Sequence, residues 1–193
     1  MRLIIATILG GIVMFGWGAL SHMVLGLETK AVKTLPNEAP IAAALKSNIS
    51  EPGFYFLPGY DTSRTLSAEE QTAWMEKYAA GPNAILIYHP AGTLAFSPKQ
   101  FGTQFGADIA VALVLSIILM FASVGFVRGL IISTLVGIAA WIAILVPYWN
   151  WYRFPDEFVL VGLIDQAAGF FLAGLVIAFI LKKKAGAPAS ATA

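Results

Sequence analysis

IAVALVLSIILMFASVGFVRGLIISTLVGIAAWIAILVPYW, residues 109–149, is 41 residues long and carries a single charge, Arg128. As one helix it would extend about 61 Å at 1.5 Å per residue, twice the roughly 30 Å of a bilayer's hydrocarbon core. The stretch therefore divides into two membrane spans. They are assigned to residues 107–127 and 128–149, with a tight turn expected at Arg128-Gly129.

Two further apolar segments flank this pair. Residues 1–27 hold His22 as the only ionisable group after Arg2, and residues 158–181 are interrupted by Asp165 and followed by Lys182, Lys183 and Lys184. The whole chain agrees: of 193 residues, 58% are hydrophobic and 12% charged, and mean hydropathy is +0.76. Soluble domains carry about 25% charged residues, so a disordered chain and a conventional cytosolic enzyme are both excluded. With no cysteine, disulfides, zinc fingers, iron–sulfur clusters, c-type haem attachment and thiol nucleophiles are excluded as well. The net charge of +1 gives no footing for nucleic acid. The expected fold class is an all-α integral membrane protein of four transmembrane helices, both termini inside, with a small α+β extracytoplasmic lobe between helices 1 and 2.

Charge sets that orientation. Arg2, Arg128 and the three terminal lysines fall on one side of the four spans with no acid among them. The positive-inside rule places that side in the cytoplasm. Residues 28–106 and the short loop 150–157 then face outward, and residues 182–193 form a basic cytoplasmic tail. Gly18-Ala19-Leu20 is a poor cleavage site, so the first span reads as an uncleaved anchor.

The outer segment is too long to lack structure of its own. Residues 39–47 read as a short helix, and Phe54-Tyr55-Phe56-Leu57 as a strand stopped by Pro58-Gly59. Ser67 and Glu70 have the spacing of a capping box opening a helix to Ala80, which Gly81-Pro82 stops. Residues 84–88 and 93–97 flank Pro90-Ala91-Gly92 and predict a hairpin. Ser97-Pro98-Lys99-Gln100 is a second helix start, running on into the second span. The lobe is small and lacks disulfides, so its core should be thin and should lean on a membrane or a partner. The Ala/Gly/Pro/Ser tail, residues 185–193, is expected to be disordered.

Asp165 is the sharpest chemical signal. It lies seven residues into the last span, about 10 Å deep at helical rise. A carboxylate there must face the bundle and find a partner. Gly162, Gln166 and Gly169 surround it with a small, polar face suited to helix packing. His22, with Gly18 and Gly26 four residues to either side, is the natural partner at similar depth. The pair reads either as a proton or cation relay or as a hydrogen-bonded packing contact. His22 is also the only candidate for an axial ligand to a haem or chlorophyll-type pigment. No other cofactor and no metal is expected. Tyr148, Trp149, Trp151, Tyr152 and Arg153 join spans three and four as an aromatic belt at headgroup level, which doubles as a rim for docking. The second span offers Asp108, Ala112 and Ser116 at helical spacing, and the third Ser133, Gly137 and Ala140. No nucleophile elbow, Walker loop, zincin motif or carboxylate pair on one helix face is present.

The stretches Phe15-Gly16-Trp17-Gly18-Ala19-Leu20-Ser21-His22-Met23 and Trp151-Tyr152-Arg153-Phe154-Pro155, with Asp165-Gln166 and Gly169, resemble those of small bacterial inner-membrane proteins. The resemblance implies that location and transfers no activity. The function expected is a non-enzymatic accessory subunit of a larger membrane complex, with photosynthetic and respiratory assemblies as candidates. Its partners would be lipid and other membrane subunits. The alternatives are a small proton- or ion-coupled transporter using Asp165 and His22, and a pigment- or haem-contacting subunit.

Overall fold

A computed structural model describes residues 1–92 and 94–182. Thr93, Lys183, Lys184 and the tail expected to be disordered lie outside the described residues. Residues 34–95 form one compact unit and the segments flanking them form the other.

The second of these units holds four helices long and apolar enough to cross a membrane. Helix α1 covers Arg2–Gly18 and continues through a π-helical segment, Ala19–Val24, to a 3₁₀ turn at Glu28–Lys30. The other three spans are α4 (Pro98–Ala122), α5 (Phe126–Tyr152) and α6 (Asp156–Leu181). Helix α6 packs against α1 and α5 and also touches α4. The core lies where these helices meet and comprises Ala6, Ala112, Leu115, Leu119, Phe170, Ala173, Ile177 and Ala178.

Lipid is as apolar as leucine, so helices in a bilayer gain little by burying apolar surface against one another; they associate where small residues let backbones approach. The α5–α6 seam follows that rule. A Cβ added at Gly137 would lie 2.8 Å from the Gln166 carbonyl oxygen and 2.7 Å from Phe170 Cβ. At Gly174 it would lie 2.5 Å from Ser133 Cβ, and at Gly129 2.9 Å from Ala178 Cβ. Ser133 Oγ, fully buried, donates to the Gly129 carbonyl of its own helix at 2.8 Å, which removes the hydroxyl from competition. Gly10 on α1 is held in the same way against Ile177 and Ala112.

The turn between α4 and α5 is not at Arg128-Gly129. It is Ser123, in the left-handed region at φ 50°, then Val124 and Gly125, the α5 N-cap. Arg128 stands in the first turn of α5. Gly129 is helical, its N–H donating to the Gly125 carbonyl at 2.9 Å. Its missing side chain serves the contact with Ala178, not a bend. At the other end α5 runs through Pro147 to Tyr152, so Tyr148, Trp149, Trp151 and Tyr152 are helical, and the connection to α6 shrinks to residues 153–155.

In the unit of residues 34–95, α2 is Glu38–Asn48, β1 is Gly53–Leu57, α3 is Ala68–Ala80 and β2 is Ala84–Tyr88. Among the described residues the predicted hairpin is absent. β2 pairs antiparallel with β1, with Phe54 opposite Ile87 and Phe56 opposite Ile85. Aromatic-to-β-branched cross-strand pairs of this kind stabilise a sheet, and residues 94–97 lead into the α4 cap without strand structure. Both capping boxes are present, at Ser67/Glu70 and Ser97/Gln100. Trp74 Nε1 donates to the Pro58 carbonyl at 3.1 Å, fastening α3 to the end of β1.

The first cap has an extension that spacing alone does not show. Arg64 grips the Glu70 carboxylate with two nitrogens, at 2.8 and 2.6 Å. That grip, with the Ser67 backbone N–H, holds the Glu70 pKa down at about 2.

Two outcomes follow from this packing and capping. Gly137→Ala should lower thermal stability in detergent by about 1–3 kcal/mol, the usual cost of overpacking. Gly106→Ala, where the added methyl meets nothing within 4 Å, should be neutral or stabilising through helix propensity. Because the Glu70 pKa is depressed in the fold, its contribution is present above the ordinary carboxylate value and disappears as pH falls towards about 2. Carboxyl NMR of Glu70 should show that midpoint in the wild type and a return towards the ordinary value in Arg64→Gln.

Candidate functional site

Helix α6 carries the Asp165 carboxylate, and α1 reaches this residue with two side chains. Trp17 Nε1 donates to the Asp165 backbone carbonyl at 3.1 Å. His22 Nε2 lies 3.5 Å from Asp165 Oδ2. Trp17 and His22 are five residues apart, about 140° around an α-helix, so an α-helical α1 could not aim both at one partner. The π-helical segment from Ala19 to Val24 resolves this. It closes i→i−5 bonds, such as Leu25 N–H to the Leu20 carbonyl at 2.9 Å, and brings residues five apart onto one face.

His22 has a second acidic neighbour. Its Nδ1 lies 3.2 Å from Glu28 Oε2, on the 3₁₀ turn that follows the π segment. Gly26, at φ 57°, makes the bend that returns Glu28 towards His22. Thr29 Oγ1 closes the bend by donating to the Gly26 carbonyl at 2.7 Å. The imidazole thus sits between two carboxylates of unequal exposure: the Glu28 side chain is 47% exposed and that of Asp165 19%. Asp165 Oδ1 is buried without a hydrogen-bond partner. Asp108 of α4 lies within Coulombic range of Asp165 and accepts from Gln104 Nε2 at 3.0 Å.

The structure shows which of the residues singled out from the sequence lie together. His22 and Asp165 meet. Both His22 ring nitrogens lie beside carboxylate oxygens. Among the described residues, no group of three His, Asp or Glu side chains could hold a metal ion. Of the small residues assigned to one packing face, Gly169 lies against Trp17 of α1, while Gly162 meets Leu145 of α5. The Gln166 carbonyl abuts Gly137. This face is spent inside the bundle. Gly18 has nothing within 4 Å of an added Cβ, and Gly26 is a turn residue. Neither belongs to it.

The aromatic segment is more ordered than a lipid-facing belt requires. Tyr148 stacks on Phe154 with centroids 5.4 Å apart, and Phe154 contacts Phe158 at 5.3 Å. Tyr148 also contacts Tyr152 at 5.7 Å. Arg153 takes the left-handed conformation that ends α5. Trp149 Nε1 donates to Asp156 Oδ1 at 2.6 Å, and Trp141 Nε1 to the Val159 carbonyl at 2.8 Å. With Trp17, three indoles from two helices are bonded to the first ten residues of α6. Sequence reasoning overlooked Trp141; its only signal was an indole deep in an apolar helix, where its N–H needs an acceptor.

The chain matches no protein-family model, no curated protein and no solved structure.

Proposed function

We propose that this protein is a non-enzymatic accessory subunit of a bacterial inner-membrane complex, docking through the lobe of residues 34–95. The observation that carries the reading is the state of that lobe. None of its described residues is fully buried. One face of its two-stranded sheet leaves Phe54 54% and Ile87 71% exposed, with Phe56 beside them. A unit so thin gains stability by covering that face against something else. On this reading the bundle end that carries Arg2, Arg128 and Lys182 faces the cytoplasm. The support is that Arg2, Arg128 and Lys182 stand at the same end of the antiparallel bundle. The lobe is then periplasmic. For neighbouring helices the available small-residue positions include Gly16 and Gly18 of α1 and Gly102 and Gly106 of α4, which are open.

A second reading, a small proton-coupled transporter, is favoured by the contact of His22 with Asp165. An intramembrane acid–histidine pair is a common element of proton pathways.

Two experiments separate these readings. Tagged chain extracted from its own membrane in mild detergent should bring down stoichiometric subunits, and the triple change Phe54→Ser, Phe56→Ser, Ile87→Ser should release them without loss of insertion. A wild-type chain that is stable, monomeric and alone overturns the accessory reading. In proteoliposomes carrying a pH-sensitive dye, the transporter reading expects a proton flux that Asp165→Asn abolishes; equal dye responses from both proteins reject it.

A further inference from the structure

We infer that Glu28, His22 and Asp165 form a proton-operated clamp: a proton added to His22 is the ligand that ties the 3₁₀ turn at Glu28 to the contact between His22 and Asp165. The number of N–H donors on the ring decides how the group holds together. A neutral imidazole has one N–H and one bare lone pair. Here one ring nitrogen lies 3.2 Å from a Glu28 oxygen and the other 3.5 Å from an Asp165 oxygen. With both carboxylates ionised, a neutral His22 would aim its lone pair at an anion. Only the imidazolium presents an N–H towards each carboxylate at these ion-pair distances, and its charge offsets one of the two negative charges.

The charged groups brought by the surrounding elements reinforce the need for that proton. The 3₁₀ turn brings Glu28 and Lys30, α6 brings Asp165, and α4 brings Asp108, within Coulombic range of Asp165. Two carboxylates thus flank the imidazole, and a third, Asp108, lies within Coulombic range of Asp165.

The two arms of the clamp are unequal. When the imidazolium gives up its proton, the single remaining N–H goes to Asp165, which is 19% exposed and already has one oxygen without a partner. Glu28, 47% exposed, is the arm that water can solvate. Deprotonation therefore frees the 3₁₀ turn and leaves the α1–α6 contact in place. Residues 28–33 lead directly into the lobe at Thr34, so the proton controls the segment on which the lobe is tethered. The clamp requires no transmembrane flux; a chain that moves no protons still has it, and its failure leaves both readings of function intact.

The test exploits the absence of native cysteine. Val32→Cys and Leu160→Cys, both at exposed positions, are spin-labelled in the full chain in nanodiscs. The distance distribution between them is recorded from pH 5 to 9. The ¹⁵N signals of the His22 ring are followed on the same series, with His22→Phe used to assign them. A narrow distance population is expected wherever His22 shows two protonated nitrogens, and its loss wherever His22 is neutral. In Glu28→Gln the carboxamide can donate to the imidazole lone pair, so the narrow population should persist across the whole range. A wild-type chain with a narrow distribution and a neutral His22 overturns the inference, as does a Glu28→Gln chain that loses the narrow population together with the proton.

Discussion

Close approach of backbones to α6 is the constraint on which the remaining architecture depends. A bilayer offers helices no gain from hiding apolar surface, so the bundle is held by contact at short range and by hydrogen bonds between helices. Gly129, Ser133 and Gly137 on α5 meet Ala178, Gly174 and Phe170 on α6 in antiparallel order. Gly10 on α1 meets Ile177 from another side. Small side chains set the separation, and indoles then fix the register. Trp17, Trp141 and Trp149 each reach an acceptor on α6 that only the correct alignment brings within range.

The polar end of the bundle grows out of this same arrangement. Once α1 lies antiparallel along α6, Trp17 marks the level of Asp165. The switch to π-helix then turns His22 onto the same face, and Gly26 reverses the chain so that Glu28 completes the group. A carboxylate at membrane depth is expensive. Asp165, largely covered in the bundle, has a histidine placed between it and a more exposed acid. Local backbone irregularity and chemistry coincide: the helix leaves regular geometry in the segment that must carry two side chains to one partner.

The lobe is organised differently. Residues 34–95 have a two-stranded sheet, two capped or short helices and, among the described residues, no fully buried side chain. Its local order comes from the capping box with its Arg64 clasp, the Trp74 bond to Pro58 and the five-residue β1–β2 ladder. Such devices set conformation more than they supply stability. The apolar sheet face is the feature through which the proposed partner would contribute the rest.

Much of this was written locally in the chain. The length and apolarity of 109–149 required two spans, and Ser67/Glu70 and Ser97/Gln100 announced two helix starts, because caps and spans depend on residues near in sequence. Asp165 and His22 stood out because ionisable groups are rare in apolar runs. Other features were decided only by residues far apart. Gly129 looked like a turn residue until Ala178 occupied the space beside it, and the bend fell instead at Ser123–Gly125. β2 took β1 as its partner over the nearer 93–97 stretch, because cross-strand side chains choose the pairing. Gly162, Gln166 and Gly169, adjacent on one helix, serve two different neighbours. The meeting of Glu28, His22 and Asp165 rests on a π-helical segment and a left-handed glycine, and no period in the sequence encodes either. Sequence thus determined which segments are helices, where they start and which residues are costly to bury. Tertiary structure decided which of those residues meet, since that depends on how closely separate backbones can approach.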